Sequence, residues 1–216
     1  MVFNLDPDSI SFPHPELADE DGLLAVGGDL SADRLILAYE NGIFPWFSED
    51  SPILWYAPHE RFVIFPEHLK ISKSMLQILK TDKFSITVDK AFTEVIHSCA
   101  KIERKDQDGT WITSDMIDAY QELHRINYAH SIEVWENEKL VGGLYGIYIN
   151  QVFCGESMFS TVSNASKAAL IYLTTHFNLK FVDCQFHTPH LASMGGTSIS
   201  QQEYLSILKE QNANTL

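Results

Sequence analysis

Cations are scarce in this chain of 216 residues: 15 Lys and Arg stand against 29 Asp and Glu, for a net charge of −14. An even coat of that sign repels nucleic acid, whose phosphates are held by Lys and Arg. Cysteine is scarcer still. Cys99, Cys154 and Cys184 are too few and too scattered for a disulfide framework, and reduced, buried thiols are expected. No apolar run approaches the ~18 residues of a membrane-spanning helix. The start, MVFNLDPDSISFPHPE, is acidic and broken by prolines, whereas a signal peptide is basic and then apolar, so a cytoplasmic protein without a membrane partner is expected. The phosphate-loop string G-x-x-x-x-G-K-[ST], the nucleophile elbow G-x-S-x-G and internal repeats are also missing.

What cations there are lie unevenly. Residues 70 to 105 hold eight Lys and Arg against four acids, so that segment is +4 and the remainder is −18. It reads either as a solvated helical surface or as a basic patch on an acidic body, with Lys70, Lys73, Lys80 and Lys83 at its head.

The order of elements predicts an α+β chain. The stretch from Gly22 to Leu30 reads as a tight loop, and Ser31 caps a helix that ends at Asn41 before Gly42. Arg61 to Phe65 reads as a strand, Ile71 to Lys80 as a helix, Phe84 to Val88 as a strand and Ala91 to Ile102 as a helix. Thr113 or Ser114 caps a helix with Met116, Ile117, Tyr120 and Leu123 on one face. Strands follow at Ser131 to Glu136, Leu140 to Ile149 and Gln151 to Phe159, the first two joined by a turn at Asn137-Glu138. A helix from Asn164 to Phe177, a strand from Phe181 to Phe186 and a helix from Ser200 to Glu210 close the chain. A meander followed by helix, strand and helix is similar in order to the N-acetyltransferase fold. The division expected is a small N-terminal α/β domain over 1–64 and an acetyltransferase-like domain over 65–216.

Four constellations could carry chemistry. Asp183 and Gln185 stand two apart in the predicted strand and so share a face. A carboxylate beside a carboxamide is either a hydrogen bond at a strand end or a pair that orients the amide oxygen toward an amine. Glu156, in FCGESMF, is a carboxylate in apolar company, either satisfied by backbone donors or functional. Leu170, Leu173 and Phe177 follow helical spacing, as core or as one wall of a pocket. Trp46 and Trp111 sit in loops, where a tryptophan packs its own loop or offers a stacking face for a base. Cys184, His187 and His190 lack the second ligand pair of structural zinc, so no metal is expected.

Read in order, several strings resemble the leucyl/phenylalanyl-tRNA protein transferase family. They are GLLAVGGDLS at 22–31, AYENGIFPWFS at 38–48, SPILWYAP at 51–58, GTWIT at 109–113, AHSIEVWENEKLVGGLYG at 129–146, FCGESMFSTVSNASK at 153–167 and VDCQ at 182–185. The resemblance implies transfer of Leu, and less readily Phe or Met, from aminoacyl-tRNA to proteins beginning with Arg or Lys, creating an N-degron. It implies catalysis by Asp183 and Gln185 and an apolar pocket at Leu144, Phe153, Leu170, Leu173 and Phe177, with Glu156 beside it. It further implies adenosine stacking on Trp46 and Trp111. If tRNA is the donor, the basic segment is expected to meet its phosphates through Lys70, Lys73, Lys80 and Lys83, and no cofactor and a monomer are expected. Two other classes are open. An acyl-CoA N-acetyltransferase would need a glycine-rich pyrophosphate loop where this chain has FSTVSNASK. A non-catalytic tRNA- or degron-binding module would not need Asp183 and Gln185.

Overall fold

Gly22 and Gly27 both take φ of +86°, backbone that glycine enters without steric cost. Between them Leu23–Gly27 is strand β2, where the sequence reading places a tight loop. β2 runs parallel to β1 (Phe3–Leu5) and antiparallel to β4 (Leu54–Tyr56), and β4 pairs with β3 (Phe44–Pro45). Helix α1 (Ala32–Glu40) lies between β2 and β3 and buries Leu35, Ala38 and Tyr39. These residues come from a computed structural model that describes positions 2–102 and 112–210.

The second sheet has seven strands in the order β11-β5-β10-β9-β8-β7-β6. Its members are β5 (Glu60–Ile64), β6 (Ser85–Val88), β7 (Ala129–Glu136), β8 (Lys139–Ile149), β9 (Val152–Ser160), β10 (Phe181–Asp183) and β11 (Thr197–Ser200). The β7–β8–β9 meander is closed by Asn137-Glu138 and Asn150-Gln151, all four at positive φ, as two-residue hairpin turns require. Pairing of β5 with β10 and β11 puts Glu60–Ile64 inside the larger sheet. The boundary expected after residue 64 would therefore cut this strand from the sheet in which it pairs; the passage between sheets falls between Tyr56 and Glu60.

The helices are α2 (Lys73–Leu79), α3 (Phe92–Lys101), α4 (Ser114–Arg125), α5 (Ala165–His176), α6 (Pro189–Ser193) and α7 (Gln201–Lys209). Thr113 Oγ1 accepts from the Met116 amide at 3.3 Å and so caps α4, whose Met116, Tyr120 and Leu123 are buried. α5 carries the crossover from β9 to β10, which pair in parallel. One apolar cluster joins residues of α1, α3, α4, α7 and the smaller sheet; a second joins those of α2, α5 and α6. This is an α+β molecule.

Close packing fixes the glycines of β8, Gly142 against α5 and Gly146 against β9. A Cβ on Gly142 would lie 2.5 Å from that of Ala165. At Gly146, where the β8–β9 register shifts, a Cβ would come within 2.2 Å of the Cys154 carbonyl and 2.5 Å of the Phe153 ring. Gly146→Ala is expected to cost about 1–3 kcal/mol, the range for overpacking, measured by urea denaturation.

Candidate active site

β9 and β10 pair only from Phe181 opposite Val152 to Asp183 opposite Cys154, while β9 runs on to Ser160. Against the diverging ends lies a cavity of about 530 Å³. Leu144, Phe153, Leu170, Leu173, Val182 and Met158 give it an apolar interior, and Phe44, Asp183, Glu156 and Gln185 complete it. Trp46 and Phe186 form an exposed lip, 37% and 39% accessible, with ring centroids 5.4 Å apart.

Asp183 ends β10 fully buried, and four donors converge on it. Arg61 of β5 donates from Nη2 to Oδ2 and from Nε to Oδ1 (3.3 Å); the Tyr204 hydroxyl donates to Oδ2 (2.9 Å). The fourth donor is the Gln185 backbone amide, 2.8 Å from Oδ1. Arg61 is itself buried, donates from Nη1 to the Gly42 carbonyl (2.7 Å), and lies over the Phe44 and Tyr204 rings. A carboxylate so fully engaged is an anchor: it holds the turn that follows it.

That turn changes the expected pairing. The strand stops at Asp183, and Gln185 takes φ of +62°. Asp183 therefore receives the Gln185 backbone N–H, and the carboxamide goes elsewhere. Gln185 Nε2 donates to Glu156 Oε1 at 3.1 Å. Glu156 Oε2 accepts from the Tyr120 hydroxyl at 3.2 Å, and that hydroxyl is in turn hydrogen-bonded to Tyr39. Burial pushes the Glu156 carboxyl up to about 7; the hydrogen bonds from Tyr39 and Tyr120 and the charge of Arg61 oppose this, and Asp183 adds to it. The same burial, with the Glu156 charge next, holds both tyrosines well above the phenol range.

Of the pocket residues that the resemblance implies, Leu144, Phe153, Leu170 and Leu173 line the cavity and Phe177 does not. It caps α5 with extended backbone and packs against Tyr172. Trp46 is at the lip, and Trp111 lies outside the described residues. Lys70, Lys73, Lys80 and Lys83 are exposed on and around α2; Lys83 also approaches Glu136 at 3.9 Å and lies over the Phe84 ring. Sequence reasoning missed Arg61, Tyr39, Tyr204, Phe44 and Met158. Phe44 and Tyr39 lie within the AYENGIFPWFS string, which was the available signal.

An apolar cavity with ionisable and carboxamide groups gathered at one end suits an enzyme that seats an apolar substituent while a polar group reacts beside it. Residues 63–209 match the family model described as leucyl/phenylalanyl-tRNA protein transferase, and residues 28–59 match that of its N-terminal domain. A relative from Flavobacterium johnsoniae is 54% identical across 93% of this chain and 96% of its own length. Others from Thermodesulfovibrio yellowstonii and Syntrophobacter fumaroxidans are 52% and 51% identical, each across 97% of this chain and 87% and 90% of their own. All three bear the name leucyl/phenylalanyl-tRNA protein transferase. The molecule is a transferase. It belongs to the leucyl/phenylalanyl-tRNA protein transferase family.

Removing one partner of a buried ion pair costs about 3–5 kcal/mol, because the other charge is left uncompensated. Arg61→Met is expected to show that loss, and Arg61→Met with Asp183→Leu to recover part of it. A double-mutant cycle in denaturant reads both.

Proposed function

We propose that this chain moves Leu, and less readily Phe or Met, from aminoacyl-tRNA to the N-terminal Arg or Lys of acceptor proteins, forming a peptide bond and creating an N-degron. The observation that carries the reading is the cavity: apolar along Leu144, Phe153, Leu170 and Leu173, with Glu156 and Gln185 among its polar groups. Side chains unbranched at Cβ suit such a blind apolar interior. Two buried carboxylates, Asp183 and Glu156, face one buried guanidinium, so the polar end favours an ammonium group. The parting of β9 from β10 supports an acetyltransferase-like arrangement of the larger sheet, in which an acyl group lies between diverging strands.

The ester of an aminoacyl-tRNA is already activated, so the transfer needs neither ATP nor a metal. The acceptor nitrogen attacks the ester carbonyl; the C–N bond forms, the C–O bond breaks, and the ribose oxygen leaves with a proton. Gln185 Oε1 accepts a hydrogen bond from the attacking amine. Asp183 acts through the backbone of Gln185, keeping that residue at the cavity. Holding amine and ester together contributes roughly 7–11 kcal/mol in favourable cases. The terminal adenosine stacks on Trp46 and Trp111, and Lys70, Lys73, Lys80 and Lys83 meet the tRNA phosphates. The enzyme works as a monomer in the cytoplasm.

The direct test is transfer of labelled leucine from Leu-tRNA to a peptide beginning with Arg. Gln185→Ala should lower kcat with little change in KM for Leu-tRNA. Because a methylene in an apolar pocket is worth about 1–3 kcal/mol, Ile on a matched tRNA should transfer more slowly than Leu by about tenfold or more. Equal rates would contradict the pocket.

Charge reversal at Lys73 and Lys80 tests the tRNA contacts. Transfer from Leu-tRNA should fall and become less salt-dependent, while transfer from a minimal leucyl-adenosine donor is spared. Equal losses with both donors would show that these lysines serve the fold alone.

A further inference from the structure

We infer that Glu156 is the residue that sets the Gln185 carboxamide, and that it does so only as a carboxylate, so that protonation of this single group switches transfer off. The inference rests on the reading that Gln185 receives the acceptor amine.

A carboxamide has two unlike ends, a donating Nε2 and an accepting Oε1, and its orientation follows from its partner. An ionised carboxylate can only accept. Glu156 Oε1 therefore takes Nε2, at 3.1 Å, and Gln185 Oε1 is left without a donor among the described residues. That is the atom an amine needs. A protonated Glu156 carries an O–H that can donate to Oε1, which permits the amide to turn over. Nε2 then faces the incoming amine and can bond it only through the lone pair that must attack.

Asp183 cannot set the amide in this way. Its oxygens hold Arg61, Tyr204 and the Gln185 backbone, and none of its bonds reaches the carboxamide. The titration of Glu156 is governed by neighbours on every side: Tyr39 from α1, Tyr120 from α4, Asp183 from β10, Arg61 from β5 and Cys154 on its own strand. Arg61 is committed to Asp183, so no cation is dedicated to Glu156 among the described residues. Burial consequently outweighs the two phenols, and the group titrates at about 7, where a cell can move it.

The sign follows. Transfer is full above the Glu156 value and is lost as pH falls through it, by about tenfold per pH unit for one proton. The acceptor amine contributes its own limb, so the test is a difference. The rate of leucine transfer from Leu-tRNA to an Arg-peptide is measured against pH for the full chain and for Glu156→Gln. The wild type should show two limbs in kcat. Glu156→Gln, whose amide can hold Gln185 either way round, should show a lower plateau and the amine's limb alone, with KM for Leu-tRNA unchanged. Coincident profile shapes would overturn the inference. A second variant, Tyr120→Phe, covers the case in which Glu156→Gln does not fold. It removes a donor from the carboxylate, so the Glu156 limb should move to higher pH; an unmoved limb would also overturn the inference. Wild-type protein that transfers no leucine at any pH would instead remove the underlying reading, and this inference with it.

Discussion

The arrangement around the cavity depends on one buried ion pair, Arg61 with Asp183. Taking both charges out of water costs several kcal/mol per ion, and attraction offsets this only when the remaining donors and acceptors are filled. Here they are: Asp183 takes bonds from Arg61, Tyr204 and the Gln185 amide, and Arg61 gives its Nη1 to Gly42. The pair therefore works as a geometric specification. It ties β5 to β10, Tyr204 of α7 to both, and the turn after α1 to the larger sheet. Gln185 is held at φ of +62° because its N–H is bound to the carboxylate two residues earlier. That conformation is costly for a residue other than glycine, and the Asp183 bond is what offsets it.

Two carboxylates within one small region consequently differ in what they can do. Asp183 has a dedicated cation and saturated oxygens; Glu156 has phenols and an amide. Environments that separate two acids in this way divide roles between them. Asp183 is tied to the framework through Arg61 and Tyr204, and Glu156 lies at the cavity beside Gln185. The hydroxyls of Tyr39 and Tyr120 link α1 to Glu156 through hydrogen bonds.

Much of the fold was legible because it is local. Thr113 as a cap, the Asn137-Glu138 turn and the strands on either side of it are decided by neighbours in sequence. Leu170 and Leu173 were legible as a wall because α5 is regular through His176. Phe177 was misplaced for a physical reason: at the helix cap its backbone is extended, so helical spacing no longer sets its direction. Arg61 was invisible because a charged residue beginning a strand reads as exposed, and only Asp183, 122 residues away, makes its burial affordable. β2 was hidden by the glycines that bound it. The Glu156–Gln185 bond joins residues 29 apart, and no periodicity links them.

The acidity of the chain, which at first argues against a nucleic-acid partner, is a matter of where the charge lies. Residues 2 to 60 carry 12 acids and one cation, Arg34, or −11, whereas the exposed lysines around α2 belong to the +4 segment. At physiological ionic strength exposed charges are screened beyond about 8 Å. A ligand approaching α2 therefore feels the nearby lysines, and the distant acids act on it weakly. A single net charge thus conceals two stretches of opposite sign along the chain, and the acidity of one does not exclude an anionic ligand at the other.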